Sequence, residues 1–299
     1  MKLSVNIGSV QFKNPVTVAS GTFSYIQKYS SIADLKKLGA IIPKTVTLNP
    51  REGNPSPRIV ETPSGMVNAI GIENAGADCF INGKLKELKK IGAPIIASVS
   101  AHTDKDFLVL TEKFNKAGVS ALELNLSCPN LKHKTLVAQD KNATYCIVKA
   151  VVRKACMPIV AKLTPNVTDI SLIAQAAQDA GASAVSLVNT FSAMVIDVNK
   201  RRSKLGNVTG GLSGPAIRPI ALYMVYQTAQ RIKIPIIAMD GITNSSDALE
   251  FIMAGATMVA VGTASFVNPQ APRDVLEGIK KYMQKNKIKD IKELIGVMK

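Results

Sequence analysis

The 299-residue chain has no Trp, two His and four Cys, and aromatic residues make up 5% of it. The cysteines Cys79, Cys128, Cys146 and Cys156 form no C-x-x-C pair, which argues against a disulfide framework and against an iron–sulfur or zinc site. Two histidines are too few for a histidine metal cluster and give little support to a Ser-His-Asp triad. We therefore expect no metal site, and chemistry at one or two cysteines at most.

Long hydrophobic runs and acidic residues are also scarce. The apolar runs are short and broken by Lys, Gly or Pro, and residues 1–4 lead into strand-like sequence without a signal-peptide core, so we expect a cytoplasmic protein without membrane contacts. Lys and Arg outnumber Asp and Glu by 37 to 21, a net charge of +16. Because the lysines are scattered and aromatic residues are few, we expect no nucleic-acid binding. A solvated basic surface, or one that attracts small anions or an acidic protein, fits better.

Two strand patterns alternate along the chain. In one, an Ala-Gly or Leu-Gly pair precedes a short apolar run, and in the other a strand begins at a proline. Together they predict eight strands, near residues 15–19, 40–46, 94–99, 120–126, 158–163, 183–189, 235–239 and 257–261. Eight strand–helix units in a chain of this length predict an α/β fold, a (β/α)8 TIM barrel that forms a single domain over residues 1–299. The long segments 49–58 and 190–215 are predicted to be inserted loops, or a small hairpin, on the C-terminal face.

The sequence Asn125-Leu126-Ser127-Cys128-Pro129-Asn130 puts a cysteine between two amides at the end of the fourth predicted strand. Thiolate is the reactive form of cysteine, and side-chain amides hold flat polar ligands by paired donor and acceptor contacts. The cluster therefore suggests proton abstraction or covalent chemistry at Cys128. The alternative is a buried cysteine that ends a strand, since free cysteine is among the most buried residue types.

Polar groups follow other predicted strands as well. Lys44 and Lys162 interrupt apolar runs, which is costly unless an anion or polar ligand meets the ammonium group; the alternative is that they reach solvent at the barrel rim. Residues 240–242 and 262–265 follow strands seven and eight with glycines that expose backbone N–H groups, and residues 210–215 add a third such loop. These loops predict a phosphate-bearing ligand, although each could also be an ordinary strand-to-helix turn.

Further motifs accompany these residues. They are Lys13-Asn14-Pro15, Ala19-Ser20-Gly21, Gly53-Asn54-Pro55-Ser56-Pro57-Arg58, Asn68-Ala69-Ile70-Gly71-Ile72, Lys162-Leu163-Thr164-Pro165-Asn166, Asn189-Thr190 and the stretch from Thr209 to Ile217. In this combination, and over nearly all its length, the chain resembles the catalytic subunits of the dihydroorotate dehydrogenase family, class 1. Its Gly-Asn-Pro-x-Pro-Arg loop points to the NAD-linked (1B) type.

The resemblance implies an oxidoreductase and flavoprotein that binds FMN and oxidises (S)-dihydroorotate to orotate in de novo pyrimidine (UMP) biosynthesis. It makes Cys128 the general base that removes a proton from C5 while hydride passes from C6 to the flavin, with Lys44 in contact with both flavin and substrate. The substrate residues that it implies are Lys44, Asn68, Ala69, Ile70, Gly71, Ile72, Asn125, Asn130, Asn189 and Thr190. The FMN residues that it implies are Ser20, Lys44, Thr45, Ser98, Asn125, Lys162, Val188, Gly214, Asp240, Gly241, Gly262 and Thr263. The electrons would leave for NAD through a partner subunit that carries FAD and a 2Fe-2S cluster, with this chain as a homodimer within a heterotetramer.

Three positions depart from the family pattern. Residues 131–139 replace a glycine-containing loop that covers the active site, which leaves lid closure open. Ser98 stands where the family has an asparagine that contacts FMN. Asp240 replaces the first glycine of the phosphate-binding pair, and a carboxylate beside a phosphate is unfavourable unless it turns away or is neutralised. We expect Asp240 to turn away and cap the helix that begins near Ser245.

Two alternatives remain open. The first is a related FMN oxidoreductase that acts on another dihydropyrimidine, which the altered loop would permit. The second is a degenerate barrel that binds a flavin or nucleotide, or a partner, without turnover, since one fold hosts many functions.

Overall fold

The computed structural model describes residues 1–22, 35–127 and 137–298. Its strands are β1 (Val5–Ile7), β2 (Val10–Phe12), β3 (Val16–Val18), β4 (Ile59–Thr62), β5 (Gly65–Asn68), β6 (Ile96–Val99), β7 (Ala121–Asn125), β8 (Ile159–Lys162), β9 (Ala184–Leu187), β10 (Phe191–Ala193), β11 (Ile196–Asp197), β12 (Arg202–Ser203), β13 (Gly210–Ser213), β14 (Ile236–Met239) and β15 (Met258–Val261). Seven of them form one parallel sheet in the order β3-β15-β14-β9-β8-β7-β6. Their registers are regular, with Val259 opposite Val16 and Leu122 opposite Ile159.

Residues 40–46 close the sheet into a barrel, although they form no continuous strand. Ile41 pairs with Ile95, and Val46 pairs with Val99, as isolated parallel bridges beside β6. On the other side, Gly39 N donates to Val16 O at 2.9 Å, next to β3. The prediction of a regular second strand is therefore wrong in detail, because Pro43 has no N–H to donate to the ladder. The predicted (β/α)8 barrel is confirmed.

Helices cover the outer face of the barrel. They are α1 (Ala77–Asn82), α2 (Lys84–Lys90), α3 (Asp104–Ala117), α4 (Lys141–Val152), α5 (Ile170–Asp179), α6 (Arg218–Arg231), α7 (Ser245–Ala254), α8 (Ala264–Val267) and α9 (Ala271–Lys285), with short 3-10 turns at Val137–Gln139, Pro215–Ile217 and Ile291–Glu293. The side chain of the preceding residue caps several of them: Thr103 accepts from Asp106 N in the first turn of α3, and Asp169 accepts from Ser171 N at the start of α5. None of the helices within the described residues is long and apolar enough to span a bilayer.

The barrel strands are buried along their whole length, as expected for parallel strands covered on both faces. Glycines end the helices as predicted, and Gly118, Gly181 and Gly255 adopt positive φ of 63°, 95° and 123°. This geometry turns each chain segment back into the next strand, so every strand presents its carboxyl end at the same face.

A second, antiparallel sheet lies over that face. Its order is β10-β13-β5-β4, so it joins the hairpin that follows segment 49–58 to the long segment 190–215. Gly211 lies opposite Asn68, and Leu212 lies opposite both Val67 and Phe191. The two predicted insertions are therefore one structure, which carries Asn68 to the carboxyl ends of the barrel strands.

Candidate active site

The carboxyl ends of the strands surround a cavity of about 360 Å³. Residues from the barrel and from the antiparallel sheet line it together. The predicted site residues among the lining are Ser20, Lys44, Thr45, Asn68, Ile70, Gly71, Ile72, Asn125, Lys162, Val188, Asn189, Thr190, Asp240, Gly262 and Thr263. A concave site at this end of an α/β barrel is the usual place for an active site.

Three side-chain amides point into this cavity or border it. Asn125 ends β7, and its Oδ1 accepts from Asn189 Nδ2 at 3.2 Å and from Ser127 N at 3.3 Å. Asn189 Oδ1 in turn accepts from Thr190 N at 2.9 Å. Asn68 ends β5 and donates through Nδ2 to Gly211 O at 3.2 Å. These bonds fix the amides but leave donors and acceptors free for a planar polar ligand.

The Gly-Asn-Pro-x-Pro-Arg loop supports the backbone beside these amides. Asn54 donates from Nδ2 to Ala69 O at 3.0 Å and from its backbone N to Ile70 O at 3.1 Å. A Cβ at Gly53 would lie 2.4 Å from Ile70 O, so glycine is required there. Arg58 clamps the loop by donating to Asn54 O and to Glu73. The loop therefore holds residues 69–72 against the cavity.

Lys162 is the buried cation of the site. It ends β8 with 6% of its surface exposed, and its Nζ donates to Ser20 Oγ at a long 3.4 Å. Beside it, Thr45 Oγ1 and Ser98 Oγ lie 2.9 Å apart, and both residues are buried. Ser98 does not line the cavity itself, but it forms a hydrogen bond with Thr45, which does. A buried ammonium group with one weak neutral partner favours an anionic or polar ligand.

Lys44 lies next to Lys162 at the cavity wall. Burial, reinforced by the positive charge of Lys162, lowers the pKa of Lys44 to about 8, while Glu73 acts in the opposite direction. At pH 7 Lys44 is therefore protonated but close to titration. The two lysines give this side of the cavity a positive potential.

Glycines also follow three strands around the cavity: Gly214 follows β13, Gly241 follows β14 after Asp240, and Gly262 follows β15. A Cβ at Gly214 would lie 2.8 Å from Gly65 Cα, and a Cβ at Gly241 would lie 2.5 Å from Arg218 Cβ, so neither position accepts a side chain. Gly262 has Ala19 beside it at an ordinary 3.4 Å, and Thr263 Oγ1 donates to Ser213 Oγ at 2.8 Å. Gly262 and Thr263 line the cavity, and a glycine loop at this position in an α/β barrel suits a phosphate.

Asp240 does not cap the helix that begins at Ser245, so that expectation is wrong. Asn244 caps α7 by accepting from Ser246 N and Asp247 N, with Asp247 completing a capping box. Asp240 instead lines the cavity, and its Oδ1 accepts from Gly214 N at 3.3 Å. Gly214 lies 26 residues from Asp240 in the sequence. Local capping rules could not identify so distant a donor and pointed instead to the nearer helix.

The remaining predicted residues lie as follows. Three of them, Ala69, Gly214 and Gly241, do not line the cavity themselves, but residues next to them in the sequence do. Cys128 and Asn130 lie outside the described residues, as does most of the altered loop 131–139. The described part of that loop is the 3-10 turn Val137–Gln139.

The structure adds residues that were not predicted as site residues. Asn166 donates from Nδ2 to Thr190 O at 3.3 Å and accepts from Ser192 N at 2.9 Å, which ties β10 to the cavity wall. The sequence feature that could have identified Asn166 as a site residue is its place in the Lys-Leu-Thr-Pro-Asn motif, which begins at Lys162. Below the cavity, Glu123 is fully buried and accepts from Ser186 Oγ at 2.9 Å. Its position inside an apolar strand was a signal of the same kind as that used for Lys162.

The comparisons with known proteins agree with this geometry. A family model described as dihydroorotate dehydrogenase matches residues 2–283. "Dihydroorotate dehydrogenase B (NAD(+)), catalytic subunit" of Lachnoclostridium phytofermentans is 50% identical over 300 residues and is covered along 100% of both chains. The protein of that name from Geotalea uraniireducens is 48% identical over 298 residues, which covers 99% of this chain and 98% of the relative.

A solved structure of DHODH from Eimeria tenella, in complex with ferulenol, has the same fold, with a TM-score of 0.80. It is 22% identical and covers 98% of this chain and 88% of that one. The predicted oxidoreductase family is confirmed by the family model and by the two curated relatives. The chain belongs to the dihydroorotate dehydrogenase family.

Proposed function

We propose that the chain oxidises (S)-dihydroorotate to orotate in pyrimidine biosynthesis, with FMN as its bound cofactor. The observation that carries the proposal is one cavity in which amides of Asn68, Asn125 and Asn189 meet the buried Lys162 and a set of backbone donors. Membership of the dihydroorotate dehydrogenase family supports the same reaction.

The fit to FMN is supported by two observations. Gly262 and Thr263 line the cavity after β15, and a Cβ at Gly262 would meet only Ala19, at 3.4 Å, so this backbone is open to a phosphate group. Lys162 is buried with a single weak hydrogen-bond partner among the described residues, and a fixed positive charge there suits the ring of a reduced flavin. Asp240 is the exception, since it places a carboxylate in the lining of the same cavity. We take residues 1–299 to be a single FMN-binding domain.

In the proposed mechanism, the asparagine amides hold the pyrimidine ring and its carboxylate, with Lys44 beside both ligands. Residues 69–72, held by Asn54, form a wall against the substrate and exclude water. Cys128 Sγ takes the proton from C5 of the substrate. Bound FMN would supply the acceptor for the hydride that leaves C6. Lys162 would hold the cofactor and offset negative charge on it.

Electron transfer to NAD is proposed to need a second subunit with FAD and a 2Fe-2S cluster, on a homodimer of this chain. The name of the relatives, a catalytic subunit, supports a partner. Within the described residues, no group of His, Cys, Asp or Glu is placed to hold a metal. Purified alone, the chain should reduce its own flavin with substrate but form no NADH. NADH formation by the isolated chain would refute the need for the partner.

The test of the proposed reaction is anaerobic flavin reduction in the purified protein, followed by absorbance. Dihydroorotate should bleach the flavin, while dihydrouracil and dihydrothymine should not. Bleaching by dihydrouracil alone would favour the related oxidoreductase that acts on another dihydropyrimidine, and a protein without flavin would favour the non-catalytic barrel.

The role of Cys128 has its own control. Cys128→Ala should keep FMN and lose nearly all substrate-dependent reduction, because the base is removed while the ring and phosphate contacts remain. Cys146→Ala, at an exposed cysteine on α4, is the matched variant and should behave as the wild type. Full reduction by Cys128→Ala, at a pH where the wild type is fast, would remove Cys128 from the mechanism.

A further inference from the structure

Asp240 has a backbone conformation that glycine adopts more easily. It follows β14 with φ of 91°, and Gly241 after it has φ of 79°. A positive φ at a residue with a Cβ is uncommon and strained. Glycine would remove that strain, so the aspartate is expected to contribute through its side chain.

The carboxylate occupies donors that suit an anion. Its Oδ1 accepts from Gly214 N at 3.3 Å, and the backbone of Gly241 also stabilises its charge. Gly214 adopts φ of 105° and has no room for a Cβ. The N–H of this glycine meets the side chain of Asp240, which takes the place of an anionic ligand.

Charged groups on the surrounding elements do not neutralise this carboxylate. Lys162 on β8 attracts it, but not through a direct ion pair among the described residues. Arg218, at the start of α6, packs its backbone against Gly241, yet its guanidinium pairs with Asp247 on α7 and reaches Glu250 at 3.7 Å. Desolvation is the dominant effect and raises the pKa of Asp240 to about 7.

We propose that the Asp240 carboxylate competes internally for the phosphate-binding loops, so that binding of FMN takes up a proton at Asp240. The proposal rests on the proposed function, since FMN is the ligand. The phosphate brings about two negative charges at neutral pH. A second carboxylate charge beside it is unfavourable, so Asp240 binds one proton from solution and becomes a hydrogen-bond donor or turns aside. FMN affinity should therefore fall as the pH rises above neutral.

The experiment is a titration of apo-protein with FMN, followed by quenching of flavin fluorescence at pH 6.5, 7.5 and 8.5. It compares the wild type with Asp240→Asn, which removes the charge and keeps the shape and the tolerance of positive φ. The dissociation constant of the wild type, divided by that of the variant, should rise about tenfold per pH unit above neutral. The phosphate titrates in both proteins and cancels in this ratio.

Two controls separate the effect from general pH sensitivity. Riboflavin, which lacks the phosphate, should show a ratio that does not change with pH. Calorimetry at pH 8 in two buffers of different ionisation enthalpy should show uptake of about one proton per FMN in the wild type, and less in Asp240→Asn. If Asp240→Asn does not fold, Asp240→Gly replaces it, since glycine adopts the required φ without strain.

A ratio that is constant between pH 6.5 and 8.5, or equal proton uptake in both proteins, would overturn the inference alone. Failure of the wild type to bind FMN at any pH would overturn the proposed function and the inference with it, whereas failure of Asp240→Asn alone would overturn only the inference. The two failures are therefore distinguishable.

Discussion

Replacement of Lys162 by methionine tests the electrostatics of the cavity most directly. The side chain is 6% exposed, and the hydrogen bond to Ser20 is 3.4 Å long, so the free protein receives little compensation for burying this charge. A methionine of similar length fills the same space without the cost of desolvation. We expect Lys162→Met to unfold at the same denaturant concentration as the wild type or a higher one.

The same substitution should weaken FMN. A hydrogen bond to a charged group contributes about 1.5–3 kcal/mol, which corresponds to a dissociation constant roughly 10- to 150-fold higher in the variant. It should also raise the pKa of Lys44 above about 8, because the charge of Lys162 is the second cause of that lowered pKa after burial. Titration of the Lys44 Cε signal by NMR measures this shift.

Lys86→Met, at an exposed lysine on α2, is the matched control and should change neither FMN affinity nor the pKa of Lys44. The reasoning would be refuted if Lys162→Met lost stability while it bound FMN as the wild type does. That result would make Lys162 a structural residue of the barrel, and an unchanged pKa of Lys44 would show that the two ammonium groups do not interact.

Substitutions at Gly241, Asp247 and Lys44 test three other contacts around the barrel end. Gly241→Ala should lose FMN and more than about 1 kcal/mol of stability, since a Cβ there would lie 2.5 Å from Arg218 Cβ at a positive φ; normal flavin content would contradict it. Asp247→Ala should lower the free energy of unfolding in urea by about 3 kcal/mol, because it removes the ion-pair partner of Arg218. It also removes the carboxylate that accepts from Thr243 N, Thr243 Oγ1 and Asn244 N before α7. A change below about 1 kcal/mol would show that solvent replaces the pair. Lys44 has a folded-state pKa of about 8, below its unfolded value of about 10.5, so between these pH values the native state binds fewer protons than the unfolded state. The free energy of unfolding should therefore rise between about pH 8 and 10.5, by at most roughly 3 kcal/mol. Lys44→Met should lack this rise.

The barrel could be predicted from the sequence because its signals are local. An Ala-Gly or Leu-Gly pair followed by apolar residues specifies a helix end and a buried strand within a few positions, as at Gly118, Gly181 and Gly255. The lysines could be predicted for the same reason, since a charge inside a buried strand is conspicuous. The second strand was predicted too regularly, because two bridges and Pro43 close the barrel without a full ladder.

Contacts between distant segments could not be predicted in the same way. Segments 49–58 and 190–215 look like separate insertions, but the hairpin after the first, through β5, pairs with β13 of the second. The positions of Asn68 and of the loop held by Asn54 depend on that pairing. Residue types on each segment indicated a polar ligand, whereas the register between the segments decides which atoms face the cavity.

Asp240 shows why a departure from a family pattern is hard to interpret from sequence. The sequence identifies a carboxylate in place of a glycine, and local capping rules favour the nearest helix N-terminus as its partner. In the structure, Asn244 and Asp247 already satisfy that helix, so its backbone donors are taken. Gly214 N, which follows β13 of the antiparallel sheet, donates to Asp240 instead, and the backbone of Gly241 also stabilises its charge. The carboxylate is thereby directed toward the cavity, which makes its charge a determinant of what the loops bind.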